Sequence, residues 1–192
     1  MTQMLRADAQ DNRDRILTAA RTLFSERGLD IGMREVARRA EVGPATLYRR
    51  FPTKQALIDE AFEVEMRTCR SVVEEGCADP DPWHGFTGVI ERLTALNVRN
   101  RGFVDAFLSA SAGVAGFAQH RRELLAMLSG LAARAKAQGR LRADFVIDDL
   151  VLMLLAGRGL ASVSLRRRDA VARRFAGLAI DAFREGRDRS AG

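Results

Sequence analysis

Proline occupies only four of 192 positions, and each of the four (Pro44, Pro52, Pro80, Pro82) falls where a helix would start or stop. A proline inside a helix removes a hydrogen bond and clashes with the preceding turn, so long proline-free stretches leave helices free to form. Alternating Val/Ile/Thr runs, the usual signal of strands, are absent, while Ala, Leu and Arg dominate. Those preferences favour helix throughout. Hydrophobic residues make up 47% of the chain, enough for a packed core. The expectation is an all-α protein of about nine helices.

Residues 1–12 read as a flexible N-terminal arm. Ile16, Leu17, Ala20, Leu23 and Phe24 then recur as one stripe, which predicts a helix over about 12–27 with Gly28 as its left-handed cap. A short helix over about 34–40 turns Val36, Ala37 and Ala40 inward and Arg34, Arg38 and Arg39 outward. The turn Glu41-Val42-Gly43 leads into a second short helix that begins with Pro44, where a missing N–H is harmless. Leu47 and Phe51 anchor that helix to the core, and Thr53 is placed to cap a longer one over about 54–75. Asp79-Pro80-Asp81-Pro82 is the clearest break in the chain. Beyond it, helices are expected near 83–100, 103–112, 119–138, 147–165 and 169–185, with Gly102 and Gly139 as stops.

The formal net charge is +6, which suggests an anionic partner. The distribution qualifies this, since residues 1–76 carry thirteen basic and thirteen acidic side chains. What stands out is local: Arg34, Arg38, Arg39, Arg49, Arg50 and Lys54 against Glu35 and Glu41. Cys69 and Cys77 lie eight apart on one expected helix, too far to bridge, and read as buried or idle thiols. The N-terminal segment has no apolar stretch of signal-peptide type, and the run from Leu150 to Gly157 is too short to span a bilayer. A cytoplasmic protein is expected.

Two short helices joined by a three-residue turn and packed on a longer first helix match a DNA-reading tri-helical unit. Gly43, Pro44, Ala45 and Thr46 at the start of the second short helix are small, which would let its backbone approach base edges. Tyr48, Arg49 and Arg50 face outward, and Lys54 begins the next helix, where a cation could meet a phosphate. Arginines on short helices are often merely solvated, so the pattern alone leaves that reading open for Arg38 and Arg39.

The run M-R-E-V-A-R-R-A-E-V-G-P-A-T-L-Y-R-R-F-P-T-K-Q-A-L resembles the signature of the tetracycline-repressor (TetR) family, and the upstream I-L-T-A-A-R-T-L-F-S-E-R-G is similar to that family's first helix. The resemblance covers about residues 13–60 and implies a DNA-binding domain there, followed by a ligand-binding and dimerisation domain over 61–192. It puts Arg34, Thr46, Tyr48, Arg49, Arg50 and Lys54 on DNA-contacting positions. It also implies a homodimer on a palindromic operator, released by a small-molecule effector. Two residues depart from the pattern. Glu41 stands where the family usually has glycine, so a left-handed backbone there would carry about 1 kcal/mol of strain. Gly43 stands where the family usually has a serine-like cap.

In the C-terminal part, the stretch from Leu150 to Leu155 is apolar around its whole circumference and needs cover on every side. The last helix offers a stripe of Val171, Phe175, Leu178, Ala179, Ala182 and Phe183. Two such helices from each subunit would make an intermolecular four-helix bundle, with Leu150, Leu154, Leu155, Phe175, Leu178 and Phe183 at the dimer interface. Trp83, Phe86, Phe103, Phe107, Phe117 and Met127 are the candidates for a ligand pocket, although aromatics at helical spacing are more often core. The ending G-R-L-R-A-D-F-V-I-D-D-L-V-L-M-L-L-A-G-R-G is similar to a C-terminal subgroup called SbtR-like. Two histidines, no glycine-rich phosphate loop and no carboxylate–histidine pairing argue against an enzyme, a metal site or a cofactor. The alternative to an effector-released repressor is an architectural or activating DNA-binding dimer without an effector.

Overall fold

The computed structural model describes residues 2–100, 103, 107 and 115–186, apart from the side chains of 2–9, 115–117, 158, 161, 162 and 165. Among the described residues are nine α-helices, one 3-10 segment and one isolated bridge pair, so the fold is all-α. The helices are α1 (Thr2–Arg27), α2 (Met33–Arg39), α3 (Pro44–Arg50), α4 (Lys54–Ala61), α5 (Glu63–Ala78), α6 (Pro82–Arg99), α7 (Ala115–Ala137), α8 (Ile147–Ala156) and α9 (Leu165–Phe183). The chain divides into two compact units: Met1–Met66 with Asn100–Ala118, and Arg67–Arg99 with Gln119–Gly192.

In the first unit, the α1 stripe of Ile16, Leu17, Ala20, Leu23 and Phe24 is buried, and α2 and α4 pack on that helix. Gly28 takes φ 80, and its N–H donates to Phe24 O at 3.0 Å, the left-handed stop that the glycine suggested. Thr53 Oγ1 accepts from Ala56 N at 3.0 Å and starts α4. Arg21 Nε donates to Ala61 O at 2.7 Å, placing a cation at the end of α4, where unpaired carbonyls collect.

Two boundaries in this unit differ from expectation. Helix α1 runs back to Thr2 through residues read as an arm, because no glycine or proline interrupts residues 2–27. The helix expected over 54–75 is two helices that meet at Phe62, with φ −108 and ψ 14. The cause is packing. The fully buried Phe62 ring lies 6.1 Å from Phe24 and 5.9 Å from Phe103, and the backbone bends to place it there.

The second unit is organised around a close crossing and a line of aromatic rings. Gly76 of α5 and Gly85 of α6 meet so tightly that a Cβ on Gly85 would lie 2.2 Å from Gly76 O, and one on Gly76 2.3 Å from Val89 Cγ2. Asp81 Oδ1 starts α6 by accepting from Trp83 N at 2.9 Å and His84 N at 3.2 Å. Trp83 stacks on Phe86 at 6.2 Å, and Phe86 meets Phe145 edge-on at 5.4 Å. Phe145 in turn meets Phe183 at 5.1 Å. Gly139 ends α7 at φ 65. The following segment pairs with the end of α9, Arg142 N donating to Phe183 O and Glu185 N to Arg140 O, both at 3.0 Å.

Helix α7 begins at Ala115, not near 119, and absorbs Gly116. Helix α8 stops at Ala156, and a 3-10 segment, Gly157–Ser162, follows where one helix was expected to continue to 165. Gly157 is pressed against Asn97 and Phe175, and a Cβ there would come within 3.2 Å of Asn97 Nδ2. Asn97 is buried in α6 and donates to Leu154 O at 2.8 Å, fixing the end of α8. Of the expected 103–112 helix, Phe103 and Phe107 are helical, and the rest lies outside the described residues. No described helix is long and apolar enough to cross a membrane.

Candidate nucleic-acid interface

Helices α2 and α3 have seven residues each, and both are sorted sharply by side. Met33, Val36 and Ala37 of α2 and Leu47 of α3 are buried, and Phe51 closes the motif at 1% exposure. Arg34, Arg38, Arg39, Pro44, Ala45, Arg49 and Arg50 are exposed, as is Gly43, which precedes α3 with φ −67 and ψ 145. Tyr48 is 45% exposed, a large share for an aromatic ring. Thr46 and Lys54 are half-buried. Anchor residues three and four apart therefore aim the intervening tyrosine and arginines at solvent.

The electrostatics sharpen this face. Glu35 is neutralised by Arg27 and, at 3.7 Å, by Arg38. Glu41 is neutralised by Arg15 at 3.2 Å. Both carboxylates of the stretch are thus paired. Among the described residues Arg34, Arg39, Arg49 and Arg50 have no ion-pair partner. Unpaired guanidiniums on one exposed face can make bidentate contacts with phosphates or with guanine edges. A cleft of about 140 Å³ lined by Asn12, Arg13, Ile16, Thr46, Arg49 and Arg50 adjoins α3. Arg13 and Arg15 of α1, which line clefts beside this motif, were not singled out in the sequence.

Residues expected at the other sites are placed less uniformly. Trp83 and Phe86, candidates for a pocket, are buried in the aromatic line with Phe145 and Phe183. Phe103 belongs to the first unit, buried against Phe62 and 6.0 Å from Phe107. Phe107 and Met127 are half-buried, and the Met127 carbonyl accepts from Cys77 Sγ at 3.6 Å. The side chain of Phe117 lies outside the described residues. Burial pushes the Cys77 thiol pKa up against the opposing pull of Arg134, which keeps it protonated.

Among the dimer candidates, Leu150 and Phe183 are buried inside the subunit, Phe183 beneath Arg142 and against Phe145. Leu154 and Phe175 are half-buried. Leu155 and Leu178 are exposed, and so are Leu152 at 62% and Val146. Leu152 was missed because an all-apolar helix has no periodicity to tell its two sides apart. Among the described residues no group of three or more His, Cys, Asp or Glu is placed to hold a metal ion.

A helical unit presenting a short turn-linked helix pair with a bare arginine face defines a helix-turn-helix DNA-binding protein. Residues 16–61 match the model of the bacterial regulatory proteins of the tetR family. The HTH-type transcriptional repressor KstR of Mycolicibacterium smegmatis is 32% identical over 146 residues, 70% of this chain and 68% of that one. A TetR transcriptional regulator of Streptomyces coelicolor shares 32% identity with a TM-score of 0.55, over 90% of this chain and 98% of that chain. The ketosteroid transcriptional regulator KstR2 of Mycobacterium tuberculosis, 16% identical, has a TM-score of 0.67 over 91% of this chain and 95% of its own, a likeness of fold alone. The chain belongs to the TetR family and is a DNA-binding transcriptional regulator.

Proposed function

We propose that the chain is a homodimeric repressor that reads a palindromic operator through Arg34, Gly43, Pro44, Ala45, Thr46, Tyr48, Arg49, Arg50 and Lys54, and that a small-molecule effector releases it. In this reading residues 13–60 form the DNA-binding domain, and residues 61–192 bind the effector and dimerise. The observation that carries the reading is the unpaired, exposed set Arg34, Arg39, Arg49 and Arg50 around the exposed Tyr48, beside neutralised carboxylates. Helix α3 enters the major groove, with its small first residues against the bases and Tyr48 on a phosphate. The two recognition helices of a dimer stand about one DNA turn apart, ~34–36 Å, in the binding state. The exposed Leu152, Leu155 and Leu178 support association with a second copy, since exposed leucines gathered on two helices favour apolar cover. The effector favours a state with another spacing, a coupling of ~1–3 kcal/mol.

The test is a gel shift with the DNA flanking the gene. Wild type is expected to retard a fragment holding an inverted repeat, while Tyr48→Ala, still dimeric, does not. Unchanged affinity of Tyr48→Ala would rule out this assignment of the interface. A thermal shift with a library of small apolar molecules tests the effector, and a library without any stabilising member favours the effector-free architectural reading.

A further inference from the structure

Glu41 is held at φ 55, the one non-glycine residue with positive φ among the described residues. It ends α2 through two bonds, Glu41 N to Arg38 O at 3.2 Å and Val42 N to Ala37 O at 3.0 Å. That pattern requires a left-handed residue at its centre, where glycine usually stands. A residue with a Cβ favours right-handed alternatives. Any of them would break the Val42–Ala37 bond, which lies downstream of the Glu41 backbone angles, and redirect Val42 and Gly43, which lead directly into α3.

The structure contains a restraint against that outcome. Arg15, 26 residues earlier on α1, donates from Nη2 to the Glu41 carbonyl oxygen at 3.3 Å and to its Oε2 at 3.2 Å. The carboxylate is 85% exposed, so the ion pair by itself holds little. The carbonyl is different, because its direction is fixed by the backbone angles of the turn. A bond to it selects the left-handed conformer, and the ion pair keeps the guanidinium in reach. Arg15, Arg39 and Glu41 also line a groove of about 400 Å³, where a guanidinium could instead meet a DNA phosphate directly.

We propose that Arg15 is a positioning residue: it fixes the angle of α3 by clamping the strained Glu41 turn to α1, and it does not itself contact DNA. The proposal rests on the reading that α3 meets DNA.

The test uses the full chain in four forms: wild type, Arg15→Ala, Glu41→Gly and the double variant. Binding is read by fluorescence anisotropy on the duplex that wild type enriches from a random-sequence pool, at several salt concentrations, with Tyr48→Ala as control. Arg15→Ala is expected to weaken binding about fivefold when Glu41 is present, the scale of one left-handed residue. In the Glu41→Gly background it should cost no more than about twofold, because glycine needs no clamp. Arg15→Lys, which keeps a donor for the carbonyl, should restore most of the loss, and the salt slope should stay constant throughout. An equal loss in both backgrounds, with the salt slope shallower by about one, means a direct phosphate contact and overturns the proposal. No loss in the Glu41 background overturns it too. A merely structural arginine would lower the thermal midpoint in both backgrounds and leave affinity unmoved. If Tyr48→Ala binds as wild type does, the reading of α3 has failed. The Arg15–Glu41 coupling is then decided by the same four-protein cycle in thermal unfolding, whose additivity would overturn the clamp.

Discussion

Helices α3 and α8 each bury one stripe and leave the other side to water, but they leave opposite things there. On α3, Leu47 goes inward while Tyr48, Arg49 and Arg50 stay outside. On α8, Leu150 and Met153 go inward while Leu152 and Leu155 stay outside. Charge on a short exposed helix is stable in water and suits an anion. Leucine in water is a standing cost of roughly 1.5–3 kcal/mol per fully exposed side chain, recovered only when another apolar surface covers it. The described outer side of α3 therefore suits an anion, and that of α8 suits an apolar surface.

The sharpest way to break this contrast is at Leu152. Leu152→Arg puts a charge on the apolar side of α8 while leaving the buried Leu150 and Met153 alone. It should give a folded monomer by sedimentation, with loss of binding to any inverted repeat. A dimer of unchanged stability would show that this side needs no cover. Leu154 is a poorer probe, since its half-buried position and its carbonyl bond to Asn97 belong to the subunit's own packing.

On the α3 side, Arg49→Ala or Arg50→Ala should leave assembly and unfolding unchanged and cost ~1–3 kcal/mol of DNA affinity if that arginine reads a base. If it meets a phosphate, the slope of log affinity against log salt falls by about one. Salt titrations of the two variants assign the roles. A smaller effect, of opposite sign, is expected at Glu41. Glu41→Gly relieves the left-handed strain and loses only an exposed ion pair, so denaturant unfolding should show a gain of about 0.5–1 kcal/mol.

The smallest effect concerns pH. His84 Nδ1 lies 2.7 Å from Asp79 Oδ2, which raises the histidine pKa above its usual 6.5. The same hydrogen bond lowers the Asp79 pKa below 3.8. Stability from His84 is full below 6.5 and fades as pH rises through the higher folded value. Stability from Asp79 is present above 3.8 and is lost as pH falls through the lower folded value. The pair thus contributes most between about pH 4 and pH 6.5. His84 is largely exposed and the pair is screened by water, so His84→Ala should lower the melting midpoint slightly near pH 5.5 and by less as pH rises.

The same contrast explains what could be read from the chain alone. Caps and anchors were legible at Gly28, Pro44, Thr53 and Gly139, because each acts through its own backbone and near neighbours. The exposed arginines of α2 and α3 were legible for the same reason: anchors three and four apart decide which side looks out. The bend at Phe62 was not, since it answers to Phe24 and to Phe103, residues far away in sequence. The clamp on Glu41 was half legible. The odd glutamate showed in the turn, but its partner Arg15 looked like any other charged residue of an amphipathic helix. On α8 the sequence offered only leucines, and Asn97 and Gly157, by fixing the helix end, determine which of them turn inward.

The crossing of α5 and α6 carries a different lesson, about how the chain is free to change. Each glycine there is the clearance of the other helix: Gly85 leaves room for the backbone at Gly76, and Gly76 for Gly85 and Val89. A side chain at Gly85 meets the Gly76 backbone, which cannot step aside the way a rotamer can, and one at Gly76 meets the Val89 side chain at 2.3 Å before the Gly85 carbonyl at 3.0 Å. Neither site can drift alone, and even a shorter residue at 89 would not admit alanine at 85. In a library randomised at 76 and 85 the survivors should be glycine at both, a lock written entirely in missing atoms.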